Sequence, residues 1–458
     1  MQIAAAIFRE YDIRGTVGDQ LTAEVARAIG QAIGALAWGR LGRAPRLAVG
    51  RDNRPSGPSL SQGVLSGIEA VGGHGVDVGE LPTPALYFAT HVLNVDGGVQ
   101  VTGSHNPPAF NGFKIVLAGE AVAGPEIQRL REIIQDARPS GRAGGTRSHD
   151  ATVLGRYREA IVQRNGPLPR KVKVVVDCGN GVASVVAVDA LRQVGADVVP
   201  LFCESDGTFP NHHPDPTVLE NVRDLQAAVV REGAELGIAF DGDGDRIGTV
   251  DERGDVLWGD QLLVLLGRDL ARRMGAGHAV IFDVKCSEVL PRELARVGLK
   301  PTMWKTGHSL IKQKMKELDA PLAGEMSGHM FFGGDWYGFD DALFAAARLL
   351  RYVADRGGPL SRLLADLPKT VATPELRVDC PDDRKFDVVA RAARHFGAKY
   401  QVSTLDGARI TFADGWGLLR ASNTQPVLVM RFEAGSEPAL AAYRTEVEGW
   451  LATQGIRS

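Results

Sequence analysis

One order of elements recurs three times along this chain, and it limits the possible folds more than any other feature. Apolar runs ending at a polar turn occur at Arg46–Asp52, Val172–Asp177 and Ala279–Asp283. Each is followed by a helical pattern and a second β-like segment: Gly75–Gly79, Gly195–Val199 and Lys300–Trp304. A third β segment then delivers a loop of unusual composition. These loops are Thr102-Gly-Ser-His-Asn-Pro107, Asp241-Gly-Asp-Gly-Asp-Arg246 and Gly324-Glu-Met-Ser-Gly-His329. Strands alternating with helical stretches predict α/β units with mixed, largely parallel sheets. Such folds place ligands at the loops beyond their strand ends, so the three loops are expected to converge on one central cleft.

The chain has 458 residues, too many for one core, and its length suggests roughly three domains. The expected units span residues 1–150, 151–255 and 256–368. After a break near Asp366–Lys369 the pattern changes to short β segments and one terminal helix. That tail, residues 369–458, reads as a smaller C-terminal α+β domain hinged to the three similar α/β domains.

The second loop carries the strongest chemical signal. Asp241, Asp243 and Asp245 alternate with two glycines directly after the apolar Leu236–Phe240. Like charges so spaced repel, and the glycines forgo packing and rigidity, so the pattern makes sense around a cation. Carboxylates without neighbouring sulfur or imidazole select a hard ion: Mg²⁺, Mn²⁺ or Ca²⁺. The plainer reading is a solvated acidic turn. Asp241, Asp243, Asp245 and Glu252 also fall on positions 1, 3, 5 and 12 of a helix-flanked calcium loop. That loop needs Gly at position 6, where this chain has Arg246, and both flanks read as β rather than helical.

Bulk composition excludes several classes. The 52 Lys and Arg against 55 Asp and Glu, a net charge of −3, speak against a nucleic-acid polyelectrolyte. No apolar stretch reaches transmembrane length, and the start turns polar too early for a signal peptide. The four cysteines, Cys178, Cys203, Cys286 and Cys380, form no C-x-x-C pair. They read as buried or incidental thiols of a reducing cytoplasm.

The other loops supply further chemistry. Ser104 sits in a Gly- and Pro-bounded turn that can expose its hydroxyl as a nucleophile, although serine in turns is common as a cap. His105 beside it has the means to orient a phosphate or move a proton, and Lys114 follows at the same strand end. Glu325, Ser327 and His329 alternate; in an extended stretch they would share one face and could grip vicinal sugar hydroxyls. Arg420, Ser422, Asn423, Thr424 and Arg431 combine forked charged donors with short polar ones, a composition suited to phosphate. A polar turn with a helix cap is the alternative for that segment.

Taken in order, Phe8-Arg-Glu-Tyr-Asp-Ile-Arg-Gly15, Thr102–Pro107, Asp241–Arg246, Gly324–His329 and Arg420–Thr424 resemble the α-D-phosphohexomutase family, in its phosphomannomutase/phosphoglucomutase branch. The resemblance spans nearly the whole chain. It implies four domains around a deep cleft, with Ser104 phosphorylated and Ser104, Asp241, Asp243 and Asp245 holding one Mg²⁺. It implies that Glu325 and Ser327 contact sugar hydroxyls and that Arg420, Ser422, Asn423 and Thr424 bind a distal phosphate. Tyr11, Arg14, Lys114, Arg246, Lys285, His308 and His329 would line the cleft.

The implied reaction moves a phosphoryl group between C1 and C6 of mannose or glucose phosphate, through phospho-Ser104 and a hexose 1,6-bisphosphate that also serves as activator. General acid and base stay open among Lys114, His105 and His329, with Arg246 balancing charge. Small hexose phosphates are the expected partners, without nucleic acid or membrane, in a cytoplasmic monomer, a dimer being left open. Two alternatives remain at this stage: a phosphoglucosamine mutase, and a metal-dependent phosphatase or sugar-phosphate binding protein without turnover.

Overall fold

The computed structural model describes residues 3–136, 144–423 and 425–456. Each of the three repeats folds into a sheet with the same four-strand core. In the first, the strand Arg46–Arg51 lies between His74–Glu80 and Gly97–Val101, all parallel, and Phe110–Leu117 runs antiparallel beside Gly97–Val101. The second repeats this order with Asp197–Leu201, Lys173–Asp177, Leu236–Phe240 and antiparallel Ile247–Asp251. The third has Lys300–Trp304, Ala279–Asp283, Leu322–Gly324 and antiparallel Met330–Phe332.

The first strands read as continuous apolar runs because helices cover both faces of each parallel core. Val174, Val175 and Val176 are accordingly all inaccessible to solvent, although successive side chains point to opposite faces. The shared topology has a functional consequence. In every unit the last parallel strand turns back into its antiparallel neighbour, and that turn is one of the three chemically odd loops.

Helix ends follow local signals. Thr22 caps Ala23–Leu41 by accepting from the Val25 amide at 3.2 Å, and Asp341 caps Ala342–Arg356 through the Phe344 amide at 2.8 Å. Asp341 also accepts from the Tyr157 hydroxyl at 2.8 Å and the Trp336 indole at 3.0 Å, so one carboxylate ties the second and third units together.

The three α/β units share a continuous apolar core that includes Leu86, Phe88, Val174, Phe240, Leu263 and Phe344. The C-terminal segment has its own core around Phe396, Ile410, Leu419 and Phe432, under an entirely antiparallel sheet. Among its described residues it holds two helices, Lys385–Gly397 and Glu437–Thr453, where the sequence suggested only a terminal one. The first was obscured by its charged residues, yet Val388, Val389, Ala392 and Phe396 make a buried stripe at helical spacing. Val284 packs with Trp416 and Leu418 to join this domain to the third unit.

Candidate active site

Ser104 is 2 % exposed and adopts φ +49°, in the left-handed region that side chains other than glycine enter at a cost. A buried scaffold holds it there. The Thr102 hydroxyl accepts from the Ser104 amide at 2.8 Å and donates to Asp52 at 2.7 Å. Arg54, 1 % exposed, pairs with Asp52 at 3.1 Å. Its guanidinium donates to the carbonyls of Ser104, Asn106, Pro107 and Phe110 at 2.7, 2.6, 2.7 and 3.0 Å. Sequence reading passed over Asp52 and Arg54; the only available signal was the charged Arg51-Asp52-Asn53-Arg54 at a strand end.

The Ser104 hydroxyl donates to Asp241 at 3.0 Å and lies 3.1 Å from His105 Nδ1. The three aspartates of the second loop are fully buried, and one oxygen from each can lie within 4.8 Å of the others. Both glycines between them are required by geometry. A side chain at Gly242 would strike the Ser104 carbonyl, its Cβ at 2.4 Å, and Gly244 sits at φ +77°. The Lys114 ammonium bonds Asp243 at 2.7 Å and also Asp245. Thr83, another residue the sequence did not single out, donates its hydroxyl to Asp243 at 2.5 Å.

Charge crowding perturbs these groups in opposite senses. Burial and the neighbouring Asp243 and Asp245 push the Asp241 carboxyl well above its ordinary range. Burial acts the same way on Asp245, but Lys114 and His329 outweigh it and hold that carboxyl well below. Burial, with Arg246, Arg14 and Lys114 nearby, lowers the His105 imidazole far below its usual value. A hard cation fits this set: the donors are all oxygen, and the buried Asp243 Oδ1 has no hydrogen-bond partner.

The third loop is not extended. Gly328 N–H donates to the Glu325 carbonyl at 3.0 Å and Glu325 N–H to the His329 carbonyl at 2.9 Å, closing a tight turn between Leu322–Gly324 and Met330–Phe332. The turn, rather than strand alternation, brings the three side chains together. Glu325 accepts from Ser327 at 3.2 Å and lies 2.8 Å from His329 Nδ1. His329 Nε2 stands 3.3 Å from Asp245, which links the second and third loops. Burial opposes charge on both Glu325 and His329, yet their pairing holds Glu325 at about 2 and, with Asp245 the larger influence, raises His329 to about 9.

The remaining residues reach the same region from other domains. Arg14 donates to Asn106 at 2.8 Å, beside the serine turn. Arg246 Nε is 3.4 Å from His329 Nε2. The His308 ring lies 6.0 Å from that of His329 and 6.1 Å from that of Tyr11, and Asp340 approaches both histidines at 4.0 and 3.9 Å. Lys285 pairs with Glu375 at 3.2 Å. In the C-terminal domain Arg420 is buried and pairs with Asp406 at 3.2 Å, and the Ser422 hydroxyl accepts from the Gln425 amide at 3.2 Å.

Asn423 reaches across to Tyr11, and Thr424 lies outside the described residues. Arg431 does not join Arg420: it bonds the Lys285 carbonyl and lies 3.4 Å from Asp260. It therefore joins the fourth domain to the third, because Lys285 and Asp260 both belong to the third unit.

A buried serine hydroxyl against three aspartates, facing a cluster of sugar-competent polar groups and a separate arginine loop, defines a multidomain phosphoryl-transfer enzyme. Residues 5–140, 156–254, 258–371 and 375–449 match the phosphoglucomutase/phosphomannomutase alpha/beta/alpha domains I, II and III and the C-terminal domain. The chain is 48 % identical over 444 residues to a phosphomannomutase/phosphoglucomutase of Pseudomonas aeruginosa, covering 97 % of this chain and 95 % of that one. It is 43 % identical over 445 residues to a phosphoglucomutase of Neisseria meningitidis, covering 96 % and 95 %.

A crystal structure of a phosphoglucomutase/phosphomannomutase family protein from Burkholderia thailandensis superimposes with a TM-score of 0.90 at 45 % identity, covering 97 % of this chain and 96 % of that one. The chain belongs to the phosphoglucomutase/phosphomannomutase family. It is a phosphohexomutase, an intramolecular phosphotransferase of the isomerase class.

Proposed function

We propose that the chain interconverts the 1- and 6-phosphates of mannose or glucose, with Ser104 as the phosphoryl carrier. The observation that carries this assignment is the convergence of Ser104 and Asp241, 3.0 Å apart and contributed by separate domains. Phospho-Ser104 yields its phosphoryl group to the free hydroxyl of a hexose monophosphate. The bond from phosphorus to Ser104 Oγ breaks, one to the sugar oxygen forms, and the hydroxyl proton leaves. The resulting 1,6-bisphosphate reorients, its other phosphate returns to Ser104, and the isomeric monophosphate departs.

Each group has a role its position supports. Asp241, Asp243 and Asp245, with the serine oxygen, would hold one Mg²⁺. When bound, that ion neutralises charge among carboxylates and phosphoryl oxygens, since a phosphoserine alone brings about −1.5 to −2 charge. Lys114 and Arg246 offset the remainder. His105 orients the serine oxygen, and Lys114, His105 and His329 are the proton-transfer candidates. Glu325, Ser327, His329, His308 and Lys285 face the sugar. Arg14 lines the cleft beside the serine turn, while Tyr11, Arg420, Ser422 and Asn423 grip the phosphate far from the serine, a role the family resemblance extends to Thr424.

The proposed domains, 1–150, 151–255, 256–368 and 369–458, each contribute one loop, and closure of the fourth would exclude water. Hexose 1,6-bisphosphate is the proposed activator. A monomer in the cytoplasm, without nucleic-acid partners, suits the mixed charge. Among the described residues no helix is long and apolar enough to cross a membrane.

Purified protein primed with a trace of bisphosphate should isomerise mannose 1-phosphate and glucose 1-phosphate faster than glucosamine 1-phosphate. Release of inorganic phosphate without isomer would sink the proposal. Intact mass should show one added phosphate that Ser104→Ala lacks, together with nearly all turnover. Wild-type rates in that variant would misplace the carrier.

A further inference from the structure

Cys178 and Cys203, which the sequence scatters, lie together in the second domain. Cys178 follows the strand Lys173–Asp177, Cys203 lies just beyond Asp197–Leu201, and these two strands pair in parallel. The two sulfurs are 3.2 Å apart. Cys178 is wholly buried, whereas Cys203 is partly exposed and lines a cavity of about 470 Å³ with Asn180, Ser184, Phe202 and Asn211. The pair therefore has the arrangement of an attacking thiol open to small molecules and a resolving thiol behind it.

The segment that begins at Cys178 touches both halves of the phosphoryl-transfer site. Val182 N–H donates to the Gly242 carbonyl at 3.1 Å, within the acidic loop. The Asn180 carbonyl accepts from the Asn53 side chain at 2.7 Å, next to the Arg54 that cradles the serine turn. Gly242 packs directly on the Ser104 carbonyl. Closing a disulfide requires the sulfurs to approach from 3.2 Å to ~2.05 Å, a contraction of about 1 Å delivered to a segment with no slack on either side.

We propose that Cys178 and Cys203 form a reversible dithiol–disulfide site, oxidised by low-molecular-weight disulfides, that lowers activity by displacing the acidic loop. The Cys203 thiolate attacks one sulfur of the small disulfide and expels one thiolate, leaving a mixed disulfide on Cys203. The Cys178 thiolate then attacks Cys203 Sγ and expels the second. Two electrons pass to the small disulfide, which leaves as two thiols bearing the two protons. Accessibility favours this order: Cys203 is partly exposed, whereas Cys178 is wholly buried behind it.

The probe is oxidised glutathione applied to the full-length enzyme, followed by peptide mapping and assay. A Cys178–Cys203 cross-linked peptide is expected. With it kcat/KM should fall by about tenfold or more, because a displacement of ~1 Å at a positioned group can cost ~100-fold. Dithiothreitol should restore the rate, and the oxidised enzyme should need more Mg²⁺ for half-maximal activity. Cys203→Ser, at the partly exposed position, should keep its reduced-state rate and become indifferent to the oxidant. Cys178→Ser serves as a second variant, expected to stop at the mixed disulfide. Three results would overturn the proposal: no cross-linked peptide, cross-linking without change in kcat/KM, or equal inactivation of Cys203→Ser.

Discussion

The Tyr11 hydroxyl accepts a hydrogen bond from Asn423 Nδ2 at 2.6 Å and donates one to the Thr306 carbonyl at 3.0 Å, so residues 412 apart in sequence meet at one oxygen. The contact joins the first, third and fourth domains. Tyr11→Phe deletes both hydrogen bonds, each worth about 1 kcal/mol net. The KM for hexose phosphate should rise about tenfold, and the melting temperature should fall by about 2–4 °C, since both hydrogen bonds also tie the unliganded domains together. An unmoved KM would show that closure is held elsewhere.

Arg54 makes the opposite prediction, large in stability. Its guanidinium is buried with Asp52 and satisfies four loop carbonyls. Arg54→Met leaves the Asp52 charge without its partner and should cost about 3–5 kcal/mol, read from urea unfolding. A loss below about 1 kcal/mol would mean the serine turn is held by Thr102 and Asp52 alone.

Arg420 is predicted to act on binding. It is buried against Asp406, where its charge is shared with a single carboxylate and can also pair with an anion. Arg420→Ala should weaken hexose-phosphate affinity by about 1.5–3 kcal/mol, the range for a hydrogen bond to a charged group. Titration calorimetry would show the loss; unchanged affinity would place the distal phosphate elsewhere.

Glu375 and Lys285 give a pH prediction. The Lys285 charge, against the pull of burial and helped by Arg377, brings Glu375 from its ordinary 4.5 to about 2. A carboxyl depressed in the folded state adds stability above its unfolded value and loses it on acidification. The pair's contribution should be complete at pH 7 and disappear as pH falls from about 4.5 toward 2. The Glu375 side chain is 30 % exposed, so screening limits the effect to about 1–2 kcal/mol. Wild type and Glu375→Gln, compared by chemical denaturation, should differ at pH 7 and converge as the pH approaches about 2. A constant difference would mean the effect is packing rather than charge.

The three strand repeats could be read from the chain because strand periodicity and loop chemistry are local properties. The spans Ala279–Asp283 and Lys300–Trp304 coincide with observed strands, and the acidic run sits at a strand end as its flanks implied. Arg54, Thr83 and Asp340 were illegible for a common reason. Each is an ordinary polar residue whose meaning comes from a partner on another strand or loop, Ser104, Asp243 and His329, which only the folded chain brings alongside. Arg431 misled by composition, since it lies 11 residues from Arg420 yet is drawn to the third domain. The extended reading of Glu325–His329 failed because Gly328 permits a turn at φ +90°.

Taken alone, the sequence determined the repeated α/β order, the oxygen-rich chemistry of the acidic loop and the serine turn. These follow from short-range patterns of apolar and charged residues. Only the tertiary structure decided that Ser104 meets Asp241, that Asp245 meets His329, that Tyr11 meets Asn423 and that two distant thiols touch. The reason is physical: each unit buries its apolar faces against its neighbours, and that packing, which no local pattern encodes, sets where the loop ends meet.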